Sequence, residues 1–513
     1  MKRKLANLRI LSQAAFLLLF VYILWSTTYP LTGRFAPDTF FKFNPLITIL
    51  TSLSERIVLD GIIQGMLMLA LTIILGRFFC GWICPLGTCI DLAGRFRKEK
   101  GFLNEPKIKR LAGIKYYILA VIIAAAALGV QILWPLEPIT VMARFVSLNF
   151  IPVFTYSVDR VFVFLLNLLN RPEMLFDFYR SLKASFLGVE IAYFPHTAVI
   201  FLFFMVILGS AYLMKRSWCR VVCPLGALYA VFARIARLKR STQGCVLCAK
   251  CKAKCPTAAI NDDMTYSKSE CILCLDCIDN CPIGINRFGF SNAGNKNKTG
   301  GEAASLKNAK GISRRDFLFY ITAGLGAGLI GKQITAGQSS YYRDIIIRPP
   351  ASLKEDEFLN RCVRCGNCMK VCITNGLQPI MFEAGIAGIW TPQLVPEIGY
   401  CEYKCTLCGQ VCPTGAIKKI NIAQKLKTRL GIGVIDRNIC LPWVKKRECI
   451  VCEEFCPVKK KAIKLKKEKI DGQLVLRPYV DAELCIGCGV CQTKCPVRPV
   501  RAIKMLPIKA DRV

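Results

Sequence analysis

After a basic start (Lys2, Arg3, Lys4, Arg9), residues 10–29 read ILSQAAFLLLFVYILWSTTY, an apolar run without a charge. Comparable runs lie from about Gly61 to Phe79, near 114–135 and near 197–214. Each approaches the ~20 residues a helix needs to cross a hydrocarbon core, so four membrane spans are predicted. The region 136–196 is apolar only in patches such as VFVFLLNLL, and Arg144, Pro152, Asp159 and Arg160 interrupt every window long enough to span. It predicts interfacial or re-entrant helices on the outer side. Further on the pattern changes. In AIKLKKEKIDGQLVLRPYV (462–480) apolar and polar positions alternate around Asp471-Gly472, which predicts a β-hairpin.

The second and fourth runs end alike, in GRFFCGWICPLGT and LMKRSWCRVVCPLGA. Each carries C-x-x-x-C-P, at Cys80/Cys84 and Cys219/Cys223, and each meets a basic stretch, GRFRKEK or RIARLKR. This reads as an internal repeat of two helix pairs with both motifs at the cytoplasmic face. The proline after each second cysteine marks a helix end. Arg77, Lys215, Arg216 and Arg220 lie close by and favour thiolates. The four thiols suit a metal or cluster, redox dithiols, a docking surface near a quinone, or a purely structural helix end. Cys89 has no counterpart in the second motif and reads as a buried small residue.

Composition agrees with the spans: 53% of the 513 residues are hydrophobic, too many for a soluble enzyme, and the chain is too long for one domain. Of its 29 cysteines, 24 fall into six tight groups, which disulfides of a short secreted chain would not give. A single histidine, His196, and no C-x-x-C-H argue against haem. The net charge of +36 invites a nucleic-acid reading. Cytoplasmic flanks and anionic clusters, each of formal charge about −2, account for much of it, so no nucleic-acid partner is expected.

The six groups follow the cubane spacing C-x2-C-x2-C-x3-C-P, in which three closely spaced sulfurs hold one [4Fe–4S] cluster and the distant fourth ligates its neighbour. In CVLCAKCKAKCP and CILCLDCIDNCP this pairs Cys245, Cys248, Cys251 and Cys281, then Cys271, Cys274, Cys277 and Cys255. CVRCGNCMKVC has Ile373 in place of the proline, and CEYKCTLCGQVCP has three residues in its first gap. They give Cys362, Cys365, Cys368 and Cys412, then Cys401, Cys405, Cys408 and Cys372. CLPWVKKRECIVCEEFCP has an eight-residue first gap, and CIGCGVCQTKCP is regular. They give Cys440, Cys449, Cys452 and Cys495, then Cys485, Cys488, Cys491 and Cys456. The expected fold is α+β, ferredoxin-like, with short helices after each Cys-Pro. No nucleotide loop, nucleophile–base pair or paired carboxylates stand out, so the chemistry expected is one-electron transfer.

Residues 286–312 are Gly/Asn/Lys-rich and read as a linker. Ser313-Arg314-Arg315-Asp316-Phe317-Leu318 then opens a Gly-rich apolar stretch about 22 Å long as a helix, like a twin-arginine export signal. The predicted organisation is therefore multi-domain. An α-helical membrane domain of four spans with a two-fold repeat (1–240) precedes a two-cluster ferredoxin domain (241–285). A linker (286–312), a signal or anchor (313–336) and a four-cluster ferredoxin-type domain (337–513) follow.

In this order of motifs the first part resembles the NapH/MauN family and the second the NapG/MauM family of exported ferredoxin-type proteins, as though fused. The resemblance implies six [4Fe–4S] clusters and a quinol dehydrogenase component drawing on the membrane lipid and quinone pool. It implies a multi-pass prokaryotic inner-membrane protein whose first ferredoxin is cytoplasmic and whose carboxy-terminal domain is extracytoplasmic. The electron acceptor implied is an extracytoplasmic reductase or c-type cytochrome. The alternative is a metal reductase or assembly factor of the CcoG/FixG or NosR kind, which share the C-x-x-x-C-P motifs.

Overall fold

Apolar helices interrupted at glycine and proline build the first part of the molecule, and short strands and single-turn helices build the last. The computed structural model describes residues 4–96 except 32 and 34, 111–169, 172–183, 192–195, 197–242, 244–290, 322–326, 328–329, 345–470 and 472–512. Ser313–Leu318 and His196 lie outside the described residues. The chain forms two compact units: 1–22, 39–142 and 201–332 in one, 23–38, 143–200 and 333–513 in the other.

In the first unit α1 (Lys4–Trp25) is followed by α2 (Pro45–Glu55), α3 (Ile62–Leu75), α4 (Phe78–Trp82), α5 (Pro85–Arg95) and α6 (Ile114–Ala127). Later come α7 (Thr197–Leu213), α8 (Ser217–Val221) and α9 (Pro224–Ala233). The Asn44 side chain accepts from Leu46 and Ile47 N–H at the start of α2, and Gly76, at φ +84°, stops α3. α9 packs on α3 and α6. The apolar runs are thus broken into shorter helices than expected: α3 and α6 have 14 residues each and α7 has 17. By length and composition only Leu5–Trp25 and Pro138–Leu168 suffice to cross a membrane alone.

Pro138–Leu168 departs from the expectation for region 136–196, because none of its four interruptions breaks it. Arg144 is buried, its guanidinium 4.2 Å over the Trp390 ring and its Nε donating to the Arg364 carbonyl (2.8 Å). A π turn at Val146–Phe150, with the Ile151 N–H reaching the Val146 carbonyl, precedes Pro152 and absorbs the backbone bond that proline lacks. Asp159 pairs with Lys183 at 3.0 Å, and Arg160 donates to the Tyr156 hydroxyl at 2.9 Å.

Two antiparallel strands, β1 (Leu238–Ser241) and β2 (Arg287–Phe290), close the first ferredoxin. β2 falls in the stretch expected to be linker, because its residues pair with β1 instead of running free. The second unit holds three further antiparallel pairs: β3 (Leu377–Pro379) with β4 (Pro392–Leu394), β5 (Ile432–Ile435) with β8 (Ile503–Leu506), and β6 (Ile463–Ile470) with β7 (Gln473–Val480). The last is the expected hairpin, its register closing at Ile470 opposite Gln473. The single-turn helices lie before each Cys-Pro, not after it; Lys250–Lys254 and Val490–Lys494 are examples. A proline disfavours helix at the residue before it, so the fourth cysteine of each group ends the turn.

Candidate metal centres

The crossed cysteine tetrads are assembled in space. One hollow is lined by Cys245, Cys248, Cys251 and Cys281 (site 1) and one by Cys255, Cys271, Cys274 and Cys277 (site 2). Others are lined by Cys362, Cys365, Cys368 and Cys412 (site 3), and by Cys372, Cys401, Cys405 and Cys408 (site 4). Site 6 has Cys440, Cys449, Cys452 and Cys495. For site 5, Cys488 lies within charge-interaction range of Cys485 and Cys456, and Cys491 within range of Cys485 and Cys488. The hollows measure about 340 to 420 Å³, mouths included.

Among the described residues no three Cys, His, Asp or Glu side chains close on the point a single ion would occupy. A cubane bound through four separate irons asks for a wider tetrad, which is what the hollows offer. Four regular groups share one backbone device: the third and fifth positions of C-x-x-C-x-x-C have positive φ. These are Leu247 and Ala249, Leu273 and Leu275, Arg364 and Gly366, Gly487 and Gly489. Such left-handed turns make concave nests of N–H groups that suit anionic clusters. N–H groups of Ala259, Ile417 and Gly433 point at the sulfurs of Cys255, Cys412 and Cys485, at 3.3, 3.5 and 3.4 Å. Burial, added to by neighbouring cysteines, pushes the Cys365, Cys452 and Cys488 thiols up to about 12. Binding of iron would therefore release protons here.

The sites of the second unit form a series. Cys368 of site 3 is within charge range of Cys408 of site 4. The Cys401 N–H of site 4 donates to the Cys488 carbonyl of site 5 at 2.8 Å, and Cys491 of site 5 is within range of Cys452 of site 6. At the head of the series, Arg144, Ser147 and Leu148 pack on Arg364, Asn367 and Gly366 of the site 3 loop. Lys370 of the same loop donates to the carbonyls of Trp25 (3.2 Å) and Thr27 (2.9 Å). Within the first unit, Cys277 of site 2 is within range of Cys251 of site 1.

The C-x-x-x-C-P motifs have one local fold. Cys80 sits in α4 and Cys219 in α8, while Cys84 and Cys223 cap α5 and α9, their sulfurs accepting from Gly87 N–H (3.4 Å) and Gly226 N–H (3.2 Å). Their backbone angles nearly coincide: −61°/115° at Cys84 and −62°/111° at Cys223. All four thiols are buried, and Cys89 is half-buried. The buried Arg216 binds the Cys80 carbonyl at 2.5 Å and Asp91 through both carboxylate oxygens at 2.7 and 2.6 Å. Lys215, by contrast, is exposed.

The first of these motifs abuts site 2. A Cβ on Gly81 would lie 2.2 Å from the Ile272 carbonyl oxygen, so only glycine permits the approach. The Trp82 indole N–H donates to the Leu273 carbonyl (2.9 Å), and Arg9 pairs with Asp276 (3.2 Å). Glu270, beside Cys271, receives Lys115 (2.7 and 2.6 Å), Tyr116 (3.1 Å) and Arg77 (3.3 Å). Sequence reasoning passed over Gly81, Asp91, Lys115 and Glu270. The one signal available was a charge inside or beside an apolar run, as at Lys115. Gly81→Ala is expected to destabilise this contact by about 1–3 kcal/mol. A lower midpoint for thermal bleaching of the visible absorbance would show it; an unchanged one would refute the contact.

Cysteine tetrads with this spacing and these hollows define a ferredoxin-type iron–sulfur protein of electron transport. A family profile described as a 4Fe-4S binding domain matches residues 58–102 and again 196–243, each with one C-x-x-x-C-P motif. A second profile of that description matches 478–501. The chain belongs to the MauM/NapG family of ferredoxin-type proteins. It is 35% identical over 209 residues (39% of this chain, 92% of the relative) to the methylamine utilization ferredoxin-type protein MauM of Methylorubrum extorquens. To the ferredoxin-type protein NapG of Escherichia coli K12 it is 33% identical over 203 residues (38% of this chain, 86% of the relative). No solved structure matches the chain.

Proposed function

We propose that this protein is a membrane-anchored relay that oxidises quinol and delivers the electrons to a reductase or c-type cytochrome outside the cytoplasm. The observation that carries the reading is the unbroken series from site 3 to site 6. When bound, six [4Fe–4S] clusters supply one-electron steps. Each quinol gives up two electrons and two protons, so the tetrads divide a two-electron oxidation into single transfers. The chain holds each tetrad among apolar side chains and backbone N–H donors, which set the charge each site tolerates.

In this reading α1 and the apolar runs 61–79, 114–135 and 197–214, which contain α3, α6 and α7 and are longer than those helices alone, are the four spans, and Pro138–Leu168 lies on the outer side. The first ferredoxin is cytoplasmic and sites 3–6 are extracytoplasmic. Two sets of contacts, each within its own unit, support it. The first turns of α1 bind the site 2 helix through Arg9–Asp276 and the Ala6 N–H to Asp279 (3.0 Å). At the other end, the carbonyls of Trp25, the last residue of α1, and of Thr27 accept from Lys370. A fifth crossing is then needed between the ferredoxins. Residues 322–326 and 328–329 are helical, and Gly324 and Gly328 lie so close to Val121, Ala124, Ala125 and Leu128 that a Cβ at either would clash (2.8 and 2.6 Å). Small residues four apart are a membrane packing face. The signal-like stretch is thereby retained as an anchor, and the quinone pool joins the two halves electronically. Burial of all four C-x-x-x-C-P thiols favours the relay over a metal reductase, whose thiols must meet an incoming ion.

An epitope after Val513 tests the sidedness. Protease is expected to remove it in intact spheroplasts; removal only in inverted vesicles would reject the outer location. Immunoblots are expected to show one membrane-bound species near the full 57.3 kDa. Two pieces would mean that the anchor is cleaved. Delivery should also depend on charge, because exposed Lys445, Arg447, Lys459 and Lys460 lie close in sequence to cysteines of the last two sites. Lys445→Glu/Arg447→Glu is expected to slow reduction of an acidic acceptor about tenfold at low salt. The difference should vanish at high ionic strength; a salt-independent defect would count against docking there.

A further inference from the structure

The two C-x-x-x-C-P motifs belong to one site. Cys84 is within charge range of Cys80 and Cys219, and Cys223 within range of all three other thiols. The link runs both ways between the motifs. Arg216, from the second, binds the Cys80 carbonyl, and a Cβ on Gly226 would lie 2.9 Å from Arg77 Nη2 of the first. Neither motif supplies more than two of these buried thiols, so neither is a complete cluster site alone.

Two polar groups beside the thiols lack a partner among the described residues. The Tyr229 hydroxyl, on a side chain with no exposure, lies within charge range of Cys80, Cys84 and Cys223. Arg77 Nε, on a side chain 1% exposed, lies within range of Cys80 and Cys219. A buried donor left unsatisfied costs about 1–3 kcal/mol, more when charged, and two beside one thiol tetrad point to a group that accepts from both. Arg77 and Arg216 are both buried here and already paired with Glu270 and Asp91, so the group is called for by its hydrogen-bond acceptors and not by unpaired charge.

We propose that Cys80, Cys84, Cys219 and Cys223 jointly hold a seventh iron–sulfur cluster, shared between the two halves of the repeat. Among the described residues the four thiols, like the six tetrads, do not close on the point that one zinc or copper ion would occupy. Two cysteines from each half ligate it, and Tyr229 and Arg77 donate to its sulfurs. Its neighbour is site 2, reached through the Gly81–Ile272 contact. Three clusters then stand in line in the first unit, the shared one, site 2 and site 1, with Cys248 of site 1 exposed at the end. When bound, the cluster supplies one more single-electron step. This deepens the relay reading but does not depend on a quinol or an acceptor.

The test is a count of iron and acid-labile sulfide on the full-length protein purified without oxygen. About 28 irons per chain are expected, against about 24 for six clusters alone. Cys80→Ser/Cys84→Ser and Cys219→Ser/Cys223→Ser are each expected to lose the same complement of about four irons, because either pair is half of one cluster. Loss of about eight irons in the combined quadruple variant would instead show two separate clusters and overturn sharing. Wild-type protein with about 24 irons and a disulfide, or with one zinc or copper, would overturn the cluster itself. Should the variants fail to fold, the wild-type count decides. Tyr229→Phe is expected to keep the iron and shift one paramagnetic signal of the reduced protein; an unchanged spectrum would remove tyrosine from the site. A full iron count without quinol oxidation would reject the relay and leave the cluster standing.

Discussion

Cys362→Ala/Cys412→Ala is expected to remove one cluster, about four irons per chain, whereas Cys405→Ala/Cys412→Ala is expected to remove two, about eight. Cys412 is only four residues from Cys408 and fifty from Cys362, so sequence proximity predicts the reverse. The structure sends Cys412 to the hollow of Cys362, Cys365 and Cys368, where the Ile417 N–H also points at its sulfur. Two replacements in one tetrad destroy one site, and replacements in two tetrads damage both, so the pair is grossly non-additive. Retention of one iron-depleted cluster by each lone variant would not disturb this, because the comparison is between doubles. Equal iron in the two doubles would reject the crossed pairing. Since site 3 heads the series, both doubles should also lose electron delivery beyond it by orders of magnitude, read as the rate of acceptor reduction by quinol.

The second large effect is on stability. Glu355→Ala is expected to destabilise the carboxy-terminal unit by about 3–5 kcal/mol. Arg348 has no exposure and Glu355 is 4% exposed. The guanidinium donates to both Glu355 oxygens, and through Nη1 to the Thr391 hydroxyl (2.9 Å) and Pro392 carbonyl (2.8 Å), while lying 4.6 Å over the Phe358 ring. Removing the carboxylate strands a cation in the interior. Phe358 packs with Leu353, Leu359, Cys362 and Ile417, so the loss is transmitted to the wall of site 3. The urea concentration at which visible absorbance bleaches should fall, and Arg348→Met/Glu355→Leu should recover much of it, because no buried charge is then left unpaired. A lone variant as resistant as the wild type would refute the argument.

Much of this was legible in the chain. The spacing C-x2-C-x2-C is a local device: seven residues bent by two left-handed turns bring three sulfurs together whatever surrounds them. The hairpin at Gly472 and the helix ends at Cys84-Pro85 and Cys223-Pro224 are local in the same way, each set by the backbone limits of one or two residues. The irregular first gaps before Cys405 and Cys449 did not prevent the tetrads, because a longer loop still closes on its first cysteine.

Composition along the chain misjudged what distant partners decide. Arg144, Pro152, Asp159 and Arg160 read as interruptions because their compensating groups, Trp390, the π turn, Lys183 and Tyr156, are supplied by the folded chain. The sequence by itself determined the long apolar runs and the six cysteine groups of ferredoxin-type spacing, because hydropathy and cysteine spacing are carried by neighbouring residues. Only the tertiary structure decided the order of sites 3 to 6, the meeting of two half-motifs 139 residues apart around Tyr229, and the seat of Gly81 on the site 2 loop. Those are contacts between segments remote in sequence, and no property of either segment alone specifies its partner.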